Sequence, residues 1–189
     1  MKTMQTSLKD VLLFEPDVFR DERGFFFESY NNKTMEALGL SQEFVQDNRS
    51  FSVERVLRGL HYQIVQPQGK LVHVVVGEVL DVAVDLRRSS PTFGKWESFT
   101  ISDANLRLLW IPPGFAHGFH VRSREAQFVY KTTAYYKPEL ERTIAWNDPT
   151  LHIDWQLHDQ PIVSKKDQAG LSFRSAPVFE ESQSARAGI

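Results

Sequence analysis

Apolar and polar residues alternate along much of the chain, most densely between Val56 and Tyr136. A period of two puts one apolar face and one polar face on an extended segment, which is the signature of a half-buried strand. The alternation predicts strands at Val56–Gln63, Lys70–Val76, Val79–Leu86, Lys95–Ile101, Asn105–Ile111, Gly118–Val121 and Ala126–Tyr136. Gly77-Glu78 reads as a tight turn between two Val-rich strands, and Ser89–Gly94 and Ser102–Asn105 as turn clusters. Short strands at this spacing predict a mainly β fold, a sandwich or barrel.

The ends are less regular. Val11–Phe14 reads as an entry or edge strand closed by Glu15-Pro16, Phe19–Gly24 as a charged turn, and Gly24–Tyr30 as an aromatic strand. Lys33–Leu38 is predicted to be helical, with Asn31-Asn32 at its start, Glu36 in its first turn and Gly39 as its stop. Phe44–Phe51 is a short extended segment rich in side-chain amides. After Tyr136 the pattern weakens: Thr143–Trp146 and Ile153–Trp155 read as short pairing segments, and the polar Pro161–Ala169 as a stretch folding back over the body. Residues 1–179 read as a single domain with one or a few short helices, and 180–189 as a disordered tail.

Composition narrows the function classes. The 189 residues suffice for one real core but not for two compact domains. A net charge of −2 supplies no field that would favour nucleic acid. No stretch approaches the roughly 20 apolar residues of a membrane helix, and the first ten residues lack the apolar run of a signal peptide. Without cysteine there is no disulfide, thiolate metal site or Cys nucleophile, which suits a reducing compartment, and a cytoplasmic location is expected.

The candidate chemistry is concentrated at Arg58-Gly59-Leu60-His61-Tyr62-Gln63, which combines a cation, an imidazole, a phenol and an amide. An imidazole titrates near neutral pH and is a natural acid/base group, although a satisfied half-buried strand histidine fits the hexapeptide as well. By parity Arg58 goes with Leu60, so either a twist at Gly59 re-aims it or it lies on the other side. In Pro112–Phe119 a Pro-Gly turn delivers His117 onto the start of a strand, or is a structural turn with a surface His. Pro-x-Gly-x-x-His resembles the second motif of the cupin jelly rolls. Many cupins bind metal through His-x-His and a carboxylate, but Gln63 stands two residues after His61, and His61, His73 and His117 would meet only through a particular pairing; no metal is expected. Arg23, Arg58, Lys70 and Lys166 sit beside Gly or polar turns, as solvated charge or as the forks an anionic ligand wants. Tyr130 and Tyr136 share a face and Tyr135 takes the other, as core aromatics or as a proton donor and a stacking platform.

Together these segments resemble the dTDP-4-dehydrorhamnose 3,5-epimerase family. The match runs from about Phe14 to Ala169 and includes Asp21–Phe26, Gln46-Asp47-Asn48, Arg58–Gln63, Gln68-Gly69-Lys70, Asp81–Arg87, Pro112–Phe119, Tyr130-Lys131, Trp146-Asn147-Asp148 and Lys166-Asp167. The resemblance implies a cupin-type jelly roll, a homodimer, no metal or organic cofactor, and a dTDP-sugar substrate. It implies inversion at C3 and C5 of dTDP-4-dehydro-6-deoxy-D-glucose on the route to dTDP-L-rhamnose. His61 would be the base, Asp167 its partner carboxylate, Lys70 the charge beside the enolate oxygen and Tyr130 the proton donor. Arg58, His117, Lys166, Gln46, Asn48 and Glu141 would hold the ligand, with Tyr135 beside the thymine. Arg23 and Glu28 would reach the nucleotide in the neighbouring subunit's site. Departures from the pattern are the short loop Ile64–Gln68, His120 in place of an aliphatic residue, and Gln168 in place of a proline. Alternatives are an epimerase acting at one position only, a metal-dependent cupin enzyme and a non-catalytic nucleotide-sugar binding module.

Overall fold

A computed structural model of the chain describes residues 1–180; most of the tail expected at 180–189 lies outside the described residues. The strands, in chain order, are β1 (Lys2–Met4), β2 (Leu12–Glu15), β3 (Phe19–Asp21), β4 (Gly24–Phe26), β5 (Gln46–Val53), β6 (Val56–Gln63) and β7 (Lys70–Val76). They continue with β8 (Glu78–Asp85), β9 (Trp96–Ser102), β10 (Leu108–Ile111), β11 (Phe115–Val121), β12 (Glu125–Thr132), β13 (Glu141–Thr143) and β14 (Ile162–Val163). Among the described residues, two short α-helices, α1 (Asn32–Ala37) and α2 (Lys165–Gln168), complete the set with a 3₁₀ turn at Pro138–Leu140.

Two sheets face each other as a jelly-roll sandwich. One has the order β1-β2-β10-β7-β12-β5; the other has β13-β6-β11-β8-β9, with β14 parallel to β6. Alternation puts Val72, Val74, Leu109, Ile111, Ala126 and Phe128 of the first sheet against Val79, Ala83, Phe99, Ile101, Phe119 and Val121 of the second, forming the central core. Each sheet also buries apolar residues on its outer face. Phe14, Leu71, Leu108 and Trp110 lie under Met35 of α1 and Leu40, while Leu57, Leu60, Val82 and Val84 lie under Ile144, Leu151, Trp155 and Phe179. The second sheet is therefore covered by the C-terminal strap that also carries α2.

β6 and β7 have the predicted bounds, and α1 has the predicted cap: the Asn31 side chain accepts from the backbone N–H groups of Lys33 and Thr34. Other expectations need correction. Gly24–Tyr30 does not run as one strand; only Gly24–Phe26 pairs, with Phe19–Asp21, in an exposed hairpin whose turn contains Glu22-Arg23. The last predicted strand stops at Thr132 rather than Tyr136 because side chains take up the following backbone groups. No acidic residue lies in the first turn of α1, so Glu36 acts later in the helix. Ile153–Trp155 lies outside the paired strands, and within Pro161–Ala169, expected to fold back over the body, Lys165–Gln168 forms α2.

Candidate active site

The site begins with an irregularity in pairing. β6 and β11 are antiparallel, with His117 opposite His61 and Phe119 opposite Arg58. Three residue steps on β6 thus span two on β11, so β6 holds one extra residue, a bulge. The extra residue reverses parity across Gly59: Arg58 and His61 turn to the same side while Leu60 packs outward against the strap. The sequence left two readings open for Arg58, and the twist at Gly59 is the correct one. Gly59 has φ +119°, and a Cβ there would lie 2.6 Å from Gly118 Cα and 2.8 Å from His117 O. Only glycine allows the two strands to approach this closely at that φ.

On the inner side, between the sheets, lies a cavity of about 350 Å³. Gln46, Asn48 and Ser50 reach it from alternate positions of β5, Phe128 and Tyr130 from β12, His117 and Phe119 from β11, and Lys70 from the start of β7. Arg58, His61, Gln68, Tyr136, Glu141 and Lys166 complete the wall. His61 and Tyr130 come from opposite sheets, so a flat ring in the cavity would meet them on opposite faces.

His61 Nε2 lies 2.5 Å from Asp167 Oδ1. Asp167 is 106 residues away in sequence, and β14, parallel to β6, followed by α2 brings it there. The Ser164 side chain caps α2 by accepting from the Asp167 N–H, which aims the carboxylate at His61 and at the Gly59 N–H. Burial pushes the Asp167 carboxyl up, but the hydrogen bond and charge of His61, with help from Ser164 and Gly59, outweigh it and hold the group below the usual range. An ionised Asp167 accepts a hydrogen bond from the ring N–H that faces it and so leaves the lone pair on the other nitrogen, the arrangement of a general base.

Other groups are tuned as well. Burial lowers the Lys70 amine to about 8, against the pull of Glu141 and Asp81. Burial, then the Glu141 charge, raises the Tyr130 phenol, so it is protonated at neutral pH and available as an acid. His117 is buried, not the surface residue its turn allowed, and its Nε2 lies 2.9 Å from Asp81 Oδ2. Burial pulls its pKa down against the attraction of Asp81. Glu141 Oε2 accepts from both Lys166 Nζ and the Tyr136 hydroxyl, each at 2.9 Å.

Three residues expected to bind ligand lie outside this chain's cavity; for Arg23 and Glu28 the expected contact is with the neighbouring subunit's ligand. Tyr135 is 64% exposed and does not line the cavity; its neighbour Tyr136 does. Arg23 bonds Asp21 at the tip of the β3–β4 hairpin. Glu28 accepts from Asn31 and Thr34 beside a separate cleft with Met1, Phe19 and Phe26. His73 sits on β7 between the core residues Val72 and Val74, on the opposite face, so it does not join His61 and His117. No cluster of three or more His, Asp or Glu side chains is arranged to hold a metal among the described residues. Sequence reasoning gave no role to Asp81 or Gln68 and named Tyr136 only as a core aromatic or a proton donor and stacking platform. A charged residue inside the apolar run Val79–Leu86 was the available signal for Asp81, and face-sharing with Tyr130 was the signal for Tyr136.

Residues 5–175 match the family model described as dTDP-4-dehydrorhamnose 3,5-epimerase. The chain is 58% identical over 180 residues to the dTDP-4-dehydrorhamnose 3,5-epimerase of Pseudomonas aeruginosa, covering 95% of this chain and 99% of that one. It is 56% identical over 182 residues to the enzyme of the same name from Shigella flexneri, at 95% and 99% coverage. The crystal structure of the 3,5-epimerase from Legionella pneumophila in complex with dTDP-4-keto-L-rhamnose superposes with a TM-score of 0.92 at 49% identity, over 95% of this chain and 97% of that one. With the matched region spanning nearly all of its length, the chain belongs to the dTDP-4-dehydrorhamnose 3,5-epimerase family.

Proposed function

We propose that this protein inverts C3 and C5 of dTDP-4-dehydro-6-deoxy-D-glucose to give dTDP-4-dehydro-L-rhamnose. The observation that carries the reading is His61 on one sheet, paired with Asp167 of α2, facing Tyr130 on the other sheet across one cavity. Both stereocentres lie next to the C4 ketone, so removing either proton gives an enolate. His61 takes the proton, and the resulting imidazolium is stabilised by Asp167. Lys70, cationic below its lowered pKa, neutralises the charge that develops on O4. Tyr130 returns a proton from the opposite face, which inverts the centre. These proton transfers need only a base, an acid and an oxyanion cation, all of which side chains supply, so the reaction needs no cofactor.

Arg58, His117 and Lys166 serve the sugar and diphosphate, with Gln46, Asn48 and Glu141 along the same wall. Arg23 and Glu28 lie outside their own chain's cavity, which fits a homodimer in which each serves the neighbouring site. Exposed Phe19 and Phe26 on the hairpin, with Phe51, Val53 and Val75 on the outer sheet face, offer the apolar surface such a dimer would cover. No described helix is long and apolar enough to cross a membrane; a cytoplasmic location is part of the proposal.

The test is incubation with dTDP-4-dehydro-6-deoxy-D-glucose in D₂O followed by NMR of the ring protons. Deuterium at both C3 and C5 is expected. Exchange at one position alone would make the protein a single-position epimerase, and binding without exchange a non-catalytic module. Stoichiometric metal in the purified protein, with activity lost on chelation, would make it a metal-dependent cupin enzyme.

A further inference from the structure

Beyond the end of β12, the backbone from Ala134 to Lys137 is held by three glutamine side chains. Gln68 Nε2 donates to Ala134 O at 2.8 Å, and Gln63 Nε2 to Tyr135 O at 3.3 Å. Tyr136 N donates to Gln46 Oε1 at 3.0 Å, and Lys137 N to Gln63 Oε1 at 2.9 Å. Gln63 is the centre of this clasp. It is buried, both ends of its amide grip the segment, and its Nε2 also donates to Gln66 O at 2.7 Å in the preceding loop. Both donors and the oxygen of the amide are thereby engaged with backbone, which leaves one lone pair of Oε1. The segment carries Tyr136, which lines the cavity and is tied at its other end by its hydroxyl to Glu141, the carboxylate that also holds Lys166.

Tyr136 is thus fixed at both backbone and ring tip, and the backbone anchor depends on the clasp. His61, Asp167 and Tyr130 sit on β6, α2 and β12, all outside the clasped segment. We propose that Gln63 is a positioning residue: by clasping Ala134–Lys137 it fixes Tyr136 and, through Glu141, the Lys166 side of the cavity, and so sets the affinity for the nucleotide sugar rather than the rate of proton transfer. This rests on the epimerase reading of the cavity. It also gives a physical role to an amide standing two residues after the base.

The test uses the full chain with dTDP-4-dehydro-6-deoxy-D-glucose and four proteins: wild type, Gln63→Met, Tyr136→Phe and the double variant. Gln63→Met keeps the side-chain volume and removes the three bonds that Gln63 makes, leaving those of Gln46 and Gln68 in place. Each such bond contributes about 1 kcal/mol net, so a KM raised about 10-fold with kcat within about twofold is expected. Tyr136→Phe should also raise KM, and the double variant should be no worse than the poorer single, since both act through the same ring. A Gln63→Met protein of wild-type KM, one whose kcat falls while KM stays, or additive effects in the double variant would overturn the proposal. If Gln63→Met does not fold, Gln63→Glu replaces it. That change keeps the acceptor for Lys137 N and loses the donors, and a folded Gln63→Glu enzyme of wild-type KM would equally overturn it. Exchange by the wild type is the control: its absence refutes the epimerase reading, whereas wild-type exchange with an unchanged KM in the variants refutes only the clasp.

Discussion

Replacing Asp167 by Asn isolates the carboxylate proposed to make His61 a base. The substitution keeps shape and burial, and the amide can still pair with the ring, so the fold should persist. What disappears is one negative charge 2.5 Å from His61 Nε2. Between largely shielded groups (side-chain exposures of 23% and 3%) the appropriate effective dielectric is about 20, at which unit charges about 4 Å apart attract by about 4 kcal/mol. That attraction exists only when His61 is protonated, after it has taken the proton from carbon. Its loss therefore raises the barrier by a similar amount and slows abstraction about 1,000-fold. The assay is deuterium incorporation at C3 and C5 followed by NMR at saturating substrate, with dTDP affinity measured in parallel. Exchange should fall by about three orders of magnitude at both positions while affinity changes by less than about threefold. If Asp167→Asn exchanges within about tenfold of wild type, the carboxylate does not support the base and the dyad reading is wrong.

Four further outcomes follow from the geometry. Tyr130→Phe removes the proposed acid opposite His61 and should reduce product formation about 100-fold or more while nucleotide affinity stays; an unchanged turnover would remove Tyr130 from the mechanism. Lys70 is cationic below about 8, so activity should decline as pH rises through about 8, and a Lys70→Met enzyme should lose that limb of its pH–rate profile. Gly59→Ala forces a Cβ against Gly118 Cα at a φ that L residues avoid; about 2–6 kcal/mol of stability should be lost in a denaturant titration, with kcat falling because Arg58 and His61 shift together. The pKa values of His73, His117 and His120 are lowered, chiefly by burial, so their stabilisation is complete above the ordinary histidine value and lost as pH falls below it. The lowered Asp85, Glu141 and Asp167 then lose theirs as pH falls below the ordinary carboxylate range, so thermal melts should show Tm dropping in two stages, below about pH 6.5 and again below about pH 4.

Much of the fold was legible because strand alternation is local. Residues two apart share a face whatever the strand pairs with, so the central core and the cavity positions on β5, β11 and β12 follow from parity. The same holds for α1, whose cap lies within four residues of sequence. Aromatic content misled at Gly24–Tyr30, because propensity cannot say whether a partner strand exists, and α2 is too short for any periodicity to announce it.

By itself, then, the sequence determined a mainly β domain, the bounds of β6 and β7, the face of each regular strand and, through family resemblance, the candidates for the reacting residues. Tertiary structure decided what no local pattern carries. The bulge at Gly59 reverses parity between Arg58 and Leu60 because β11 advances two residues while β6 advances three. Asp167 meets His61 only because β14 pairs with β6 and a capped turn of helix follows it. Tyr136 rather than Tyr135 lines the cavity because the strand ends at Thr132 and glutamine side chains set the backbone beyond it. Each is a choice of partner between residues distant in sequence, fixed by burial and backbone hydrogen bonding across the whole fold, so it lies beyond the reach of any window along the chain.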